Sequence, residues 1–160
     1  MKNISRNLLS NGRFENQTLD SWDTTIEDIK LEPVKNPPAA YSLYMPVDTY
    51  IQQKISTPVP SEGFLLGGGC RARVDVPAHM GSVVTFTVLS YFENDPIPAA
   101  TTWGFLLNSE WNNFWYERPG LFRPNIIEMY LLVANSGWIS SDGEEFNAPL
   151  QITDIGLNLV

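Results

Sequence analysis

Ser82-Val83-Val84-Thr85-Phe86-Thr87-Val88-Leu89 is the stretch that decides the fold class. Val84, Phe86 and Val88 share one parity, while Thr85 and Thr87 share the other. β-Branched residues dominate, so the segment reads as a strand with one dry face, the pattern of a sheet packed on a second sheet. Arg71-Ala72-Arg73-Val74-Asp75-Val76 alternates likewise, with Ala72, Val74 and Val76 inward and Arg71, Arg73 and Asp75 outward. Ile126 to Val133 is a longer apolar run broken by Glu128, and residues 151–160 bring Ile152, Ile155, Leu157 and Leu159 near the end. The punctuation is proline and glycine: Pro33, Pro37-Pro38, Pro58, Pro60, Gly67-Gly68-Gly69, Pro77, Pro96, Pro98, Pro119-Gly120 and Pro124. Such turn signals suit antiparallel strands. Twelve prolines leave little room for long helices. Asn108 to Tyr116 has the length of a short helix, but Asn112-Asn113 and the aromatic residues oppose one. With no internal repeat, low-complexity tract or linker, residues 1–160 read as one all-β antiparallel sandwich domain.

The 160 residues carry 10 Lys plus Arg against 18 Asp plus Glu, a formal charge of −8. That field repels a phosphate backbone or an anionic membrane surface, and no basic run offsets it, so nucleic acid is excluded as the expected partner. A hydrophobic share of 43% with 12% aromatics excludes disorder. One cysteine, Cys70, and one histidine, His79, exclude an intrachain disulfide and a Cys/His zinc site. The position of Cys70 beside an alternating strand predicts that it is buried. No apolar run reaches the length of a spanning helix, so membrane insertion is not expected. Met1 to Arg6 lacks the apolar stretch of an export signal. The expectation is cytoplasmic synthesis, with non-classical release or association with a virion.

Near the N-terminus, Asn7-Leu8-Leu9-Ser10-Asn11-Gly12-Arg13-Phe14-Glu15-Asn16 is followed by Leu19-Asp20-Ser21-Trp22. Asn11-Gly12 is a tight-turn pair, and Leu8, Phe14 and Trp22 are apolar anchors that tie the first segment to the core. The stretch resembles the opening of carbohydrate-binding modules of the fourth, ninth and twenty-second families, N-L-[x]-N-G-x-F-E and then a Trp. Two further landmarks agree in order. Tyr50-Ile51-Gln52-Gln53-Lys54-Ile55 resembles the families' strand ending Gln-x-[Val/Leu], with Gln53 in place, and Ile152-Thr153-Asp154-Ile155-Gly156-Leu157 resembles their closing strand. The Gly67-Gly68-Gly69 segment departs from the pattern. The resemblance implies a jelly roll of the galactose-binding-domain type, with ligands on a concave sheet face or across the loops at one edge. It also implies structural calcium held by Glu15, Asp154 and backbone carbonyls, against the simpler reading of a solvated Glu and a turn Asp. Thr153 stands where the families often carry a second acid.

Catalysis is not expected. Sugar hydrolysis needs two carboxylates about 5–9.5 Å apart across a cleft, and the acids here fall mostly in polar loops. His79 lies in the turn Pro77-Ala78-His79-Met80-Gly81, and no nucleophile elbow, P-loop or metalloprotease motif is present. Sugar binding asks instead for aromatic faces with amides, carboxylates or Arg beside them. Trp103 and the run Trp111-Asn112-Asn113-Phe114-Trp115-Tyr116-Glu117-Arg118 carry that composition, with Trp138 a further candidate and Tyr41, Tyr44 and Tyr50 a second group. The expected ligand residues are thus Trp111, Trp115, Asn113, Tyr116, Trp103, Trp138 and Gln53. Gln53 shares the parity of Ile51 and Ile55, so its amide requires either a buried backbone partner or a ligand hydroxyl. The leading expectation is a domain that binds an oligo- or polysaccharide without transforming it. The rival is an assembly sandwich that binds a protein partner or a second copy of itself, since exposed Trp and Tyr serve protein interfaces equally well.

Overall fold

The computed structural model describes residues 7–35, 40–55, 65–74, 81–119 and 126–159. His79, Asp75 and Val76 lie outside them. In chain order the strands are β1 (Asp23–Thr24), β2 (Leu31–Pro33), β3 (Tyr41–Met45), β4 (Thr49–Ile55), β5 (Leu65–Val74) and β6 (Ser82–Phe92). They continue with β7 (Asp95–Leu107), β8 (Asn112–Pro119), β9 (Ile126–Asn135), β10 (Trp138–Ile139), β11 (Glu145–Phe146) and β12 (Leu150–Leu159). Two five-stranded antiparallel sheets form, in the orders β1-β4-β9-β6-β7 and β2-β3-β12-β5-β8, and β10 pairs with β11. This is the jelly-roll sandwich the sequence predicts. Asn108 to Tyr116 leads into strand β8, not a helix.

Strand alternation places the core. Val84, Phe86 and Val88 are buried on β6, Ala72 and Val74 on β5, and Leu131 and Val133 on β9. Arg71 and Arg73 are half-buried on the opposite face of β5. On β12 the inward residues Ile152 and Ile155 are three apart, which strict alternation forbids. A register shift between Thr153 and Gly156, with Asp154 at φ 49°, absorbs the extra residue.

The opening motif folds as a clasp on this core. Asn11 takes φ 52°, and its side-chain Nδ2 donates to the carbonyls of Thr18 (3.1 Å) and Asp20 (3.0 Å) while its Oδ1 accepts from the Glu15 N–H (2.7 Å). The indole of Trp22 donates to the Asn11 carbonyl at 3.0 Å. Phe14 and Trp22 are buried, and Leu8 packs against the core. At Gly12 a side chain would overlap the Ile155 carbonyl, so this turn requires glycine where it crosses β12.

The glycine triplet of β5 has a packing reason. A Cβ at Gly68 would sit 2.5 Å from Cζ2 of Trp103 and 3.2 Å from Cδ1 of Leu157, so the missing side chain is the space that the Trp103 ring fills. That ring stacks on Phe86, with centroids 5.6 Å apart. Gly68→Val should therefore cost about 1–3 kcal/mol through overpacking, read as a lower urea midpoint at unchanged slope. Directly after the triplet, Cys70 is buried as expected. Burial, and then the negative charge of Asp154, push its thiol well above the ordinary cysteine range. A thiol held protonated is a poor nucleophile, so native protein at pH 8 should leave an aromatic disulfide reagent unreacted and urea-unfolded protein should consume one equivalent.

Candidate functional site

The alternation of β8 sorts its residues onto two faces. Register pairs Arg71 with Asn113, Gly69 with Trp115 and Gly67 with Glu117, which sets Trp111, Asn113, Trp115 and Glu117 on the outer face of the second sheet. Phe114, of the other parity, stacks on Phe105 at 5.2 Å and belongs to the core side. Tyr116 shares that parity, so although it is 52% exposed it does not stand with Trp111 and Trp115. Trp111 immediately precedes β8 and Trp115 lies within it, four residues on, about 13 Å along extended chain.

Trp115 lies on a floor of glycine. Its Cζ2 is 2.8 Å from where a Cβ on Gly67 would be, and its Cζ3 is 3.4 Å from the same point on Gly156. The ring thus spans β5 to reach β12, with one side against backbone and 47% of the residue exposed. Its Nε1 makes a long hydrogen bond, 3.4 Å, to Glu117 Oε1.

Trp111 borders a cleft of about 340 Å³ together with Glu32, Ser42, Arg71, Arg73, Lys35 and Gln151. The strand order β2-β3-β12-β5 brings these side chains into one row. Gln151, almost fully buried, donates from Nε2 to Glu32 Oε2 at 2.9 Å and accepts at Oε1 from Arg73 Nε at 2.8 Å. The guanidinium carbons of Arg71 and Arg73 lie 5.5 Å and 5.2 Å from the centre of the Trp111 ring, a cation–π contact that orients the indole. A buried amide that bridges a carboxylate and a guanidinium beside an aromatic ring has the chemistry to meet hydroxyl groups. A second hollow of about 330 Å³ lies at Lys30, Tyr44, Thr25, Glu27 and Asp28, where Lys30 Nζ sits 5.7 Å from the Tyr44 ring centre. Among the described residues no tryptophan borders it.

Besides Tyr116, two more expected ligand residues lie elsewhere. Trp103 is 7% exposed and part of the core, because Gly68 opens the interior to it. Gln53 is also buried, and its partner is backbone: Oε1 accepts from the Ser10 N–H at 2.7 Å and Nε2 donates to the Ser10 carbonyl at 2.9 Å. Both ends of that amide hold the N-terminal segment to β4. The Trp138 side chain lies outside the described residues. Of the tyrosines, Tyr44 borders the second hollow, Tyr41 packs on the core and Tyr50 is exposed at the start of β4. Sequence reading missed Glu32, Ser42 and Gln151, and saw Arg71 and Arg73 only as outward residues.

The carboxylates expected to hold calcium have other surroundings. Asp154 Oδ1 is 2.8 Å from Arg13 Nε, an ion pair within the chain. Glu15 is exposed on a short 3-10 turn (Glu15–Gln17), and the Gly12 carbonyl accepts from the Ile155 N–H. Calcium binds six to eight oxygens. Among the described residues no three His, Cys, Asp or Glu side chains converge to hold a metal ion. This donor set fits calcium poorly, since an ion at Asp154 would have to displace the guanidinium already beside it.

No protein-family model matches the sequence, and no curated protein matches it. Solved structures do match. The CBM22-2 xylan-binding domain of Paenibacillus barcinonensis Xyn10C superposes with a TM-score of 0.63 at 14% identity, over 92% of this chain and 97% of that one. TmCBM61, solved in complex with β-1,4-galactotriose, superposes with a TM-score of 0.56 at 15% identity, over 96% of this chain and 98% of that one. The enzymatically active domain of tailspike protein 4 from bacteriophage CBA120 gives a TM-score of 0.57 at 16% identity, but this chain spans only 21% of its length. Among the described residues no helix is long and apolar enough to cross a membrane. The chain has the jelly-roll fold of carbohydrate-binding modules.

Proposed function

We propose that the chain binds a glycan without transforming it, on the outer face of the sheet that carries β5, β8 and β12. The observation that carries this reading is the placement of Trp111 and Trp115 on that one face, with the Glu32–Gln151–Arg73 row beside the first ring. The C–H face of a pyranose stacks on an indole while its hydroxyls take amide and charged groups nearby. The spacing of the two rings suits an extended oligosaccharide better than a single sugar. Binding without hydrolysis is the reading that suits the cleft, since among the described residues one carboxylate, Glu32, borders it, where hydrolysis uses a facing pair. The matching structures named for xylan binding and for a galactotriose complex support the sugar reading.

A glycan-array screen of the purified chain, run with and without EDTA, tests this directly. Saturable binding to a defined glycan class is expected. EDTA sensitivity would restore calcium to Glu15 and Asp154; insensitivity would leave Arg13 as the only cation required there. Silence on plant, bacterial and animal glycans by a folded sample would overturn the sugar reading.

A second reading rests on a different surface. Ile97 and Leu106 on β7, the edge strand of the first sheet, are 72% and 58% exposed. Exposed apolar residues on an edge strand suit a protein partner or self-association. Light scattering on the eluting protein separates a monomer from a self-assembled form.

A further inference from the structure

The cleft beside Trp111 opposes the charge of the whole chain. In a chain with 10 Lys plus Arg in 160 residues and a net charge of −8, the described residues that border this one cleft include three cations, Lys35, Arg71 and Arg73, and one carboxylate, Glu32. Among those described residues the balance is positive by two (three minus one). Glu32 does not neutralise Arg73 directly, because the Gln151 amide stands between them, taking a hydrogen bond from one and giving one to the other. Among the described residues no carboxylate forms an ion pair with Arg73.

Two guanidiniums over one indole repel each other. Contacts with the ring, shared by both, and with Gln151 for Arg73 are among those that orient them. A neutral sugar does not require that arrangement, since amides alone serve hydroxyls. An anion does, because a guanidinium fork matches a carboxylate or sulfate and the bond is charge-assisted. A positive cleft in an acidic protein also focuses the field on an incoming anion.

We propose that this cleft binds the anionic group of an acidic sugar residue, carboxylate or sulfate. Arg73 and Arg71 are its charge partners, Lys35 stands at the rim, and neighbouring residues of the glycan extend over Trp115. The proposal rests on the glycan-binding reading above and specifies the sugar class.

The test titrates the full chain with polygalacturonate and alginate, each beside its carboxyl-reduced form, and with dextran sulfate beside dextran, with xylan and galactan as neutral references. An acidic glycan should bind at least about tenfold more tightly than its neutral counterpart, the scale of one hydrogen bond to a charged group. The responding pair identifies the anion. Arg73→Gln and Arg71→Gln, each checked by its melting curve, should weaken acidic binding by a similar factor, while Lys54→Gln on the other sheet should leave it unchanged. Equal affinity for acidic and neutral members would overturn the proposal and leave the glycan reading intact. So would an equal loss from Lys54→Gln, which would mark unspecific charge attraction, or wild-type binding by both folded Arg variants. Binding to no glycan, acidic or neutral, would remove the glycan reading as well.

Discussion

Replacing Trp111 and Trp115 together by Ala should abolish measurable glycan binding while the protein stays folded. Truncating one aromatic hot spot typically costs 2 kcal/mol or more, roughly 30-fold in affinity. Two rings on the same ligand should therefore weaken it by about 100- to 1,000-fold, with incomplete additivity because both serve one chain. The stability cost should be small. Trp115 is 47% exposed and rests on backbone, not in the core. Trp111 is half-buried and loses a cation–π contact of about 0.5–1 kcal/mol. A melting temperature within a few degrees of wild type, with binding lost by calorimetry, is the expected pair of results. Retained binding would move the site to another face.

Asn135→Ala should be among the most damaging single substitutions for the fold. This side chain, 1% exposed at the end of β9, joins four segments. Its Nδ2 donates to the carbonyls of Met45 (3.0 Å) and Ala148 (2.9 Å), and its Oδ1 accepts from Ser82 Oγ (2.6 Å) and the Gly137 N–H (3.2 Å). Met45 ends β3 in one sheet, whereas Ser82 begins β6 in the other, so one amide fastens both sheets at the same end. Alanine takes a hydrogen-bond partner from two carbonyls, a buried hydroxyl and an N–H, and each buried group left unsatisfied costs about 1–3 kcal/mol. A total of about 3–5 kcal/mol is expected, a large part of the 5–15 kcal/mol that holds a typical domain. Chemical denaturation against wild type checks it, and a loss below about 1 kcal/mol would mean that water replaces the amide.

Much of the fold was legible because it depends on local alternation. Val84, Phe86, Val88, Ala72 and Val74 all face the core that their parity assigns, since a strand with one dry face allows a single register. The Asn11-Gly12 turn and its anchors Phe14 and Trp22 were legible for the same local reason. What the sequence hid depends on neighbours far along the chain. The Gly67-Gly68-Gly69 segment looked like a departure from pattern. Its purpose shows only when Trp103 is seen under Gly68 and Trp115 over Gly67 and Gly156.

The candidate site was legible only in part. Aromatic and amide density marked Trp111, Asn113 and Trp115, but composition alone could not separate them from Tyr116 or Trp103. Period-two reading of Trp111-Asn112-Asn113-Phe114-Trp115-Tyr116 would have set Tyr116 apart. Glu32, Arg73 and Gln151 gave no local signal, since Glu32 and Gln151 stand 119 residues apart and meet only through the strand order β2-β3-β12-β5. For Gln53, parity posed the right question, and the Ser10 backbone answers it.

The central claim is that one sheet face, not the core or the other sheet, meets the glycan. The most direct test follows the five tryptophan indole N–H signals of 15N-labelled protein, assigned by single Trp→Phe variants, through a titration with the best array glycan. The Trp111 and Trp115 signals should shift and saturate together while those of buried Trp22 and Trp103 stay in place. Unmoved Trp111 and Trp115 signals at saturating glycan would contradict the claim.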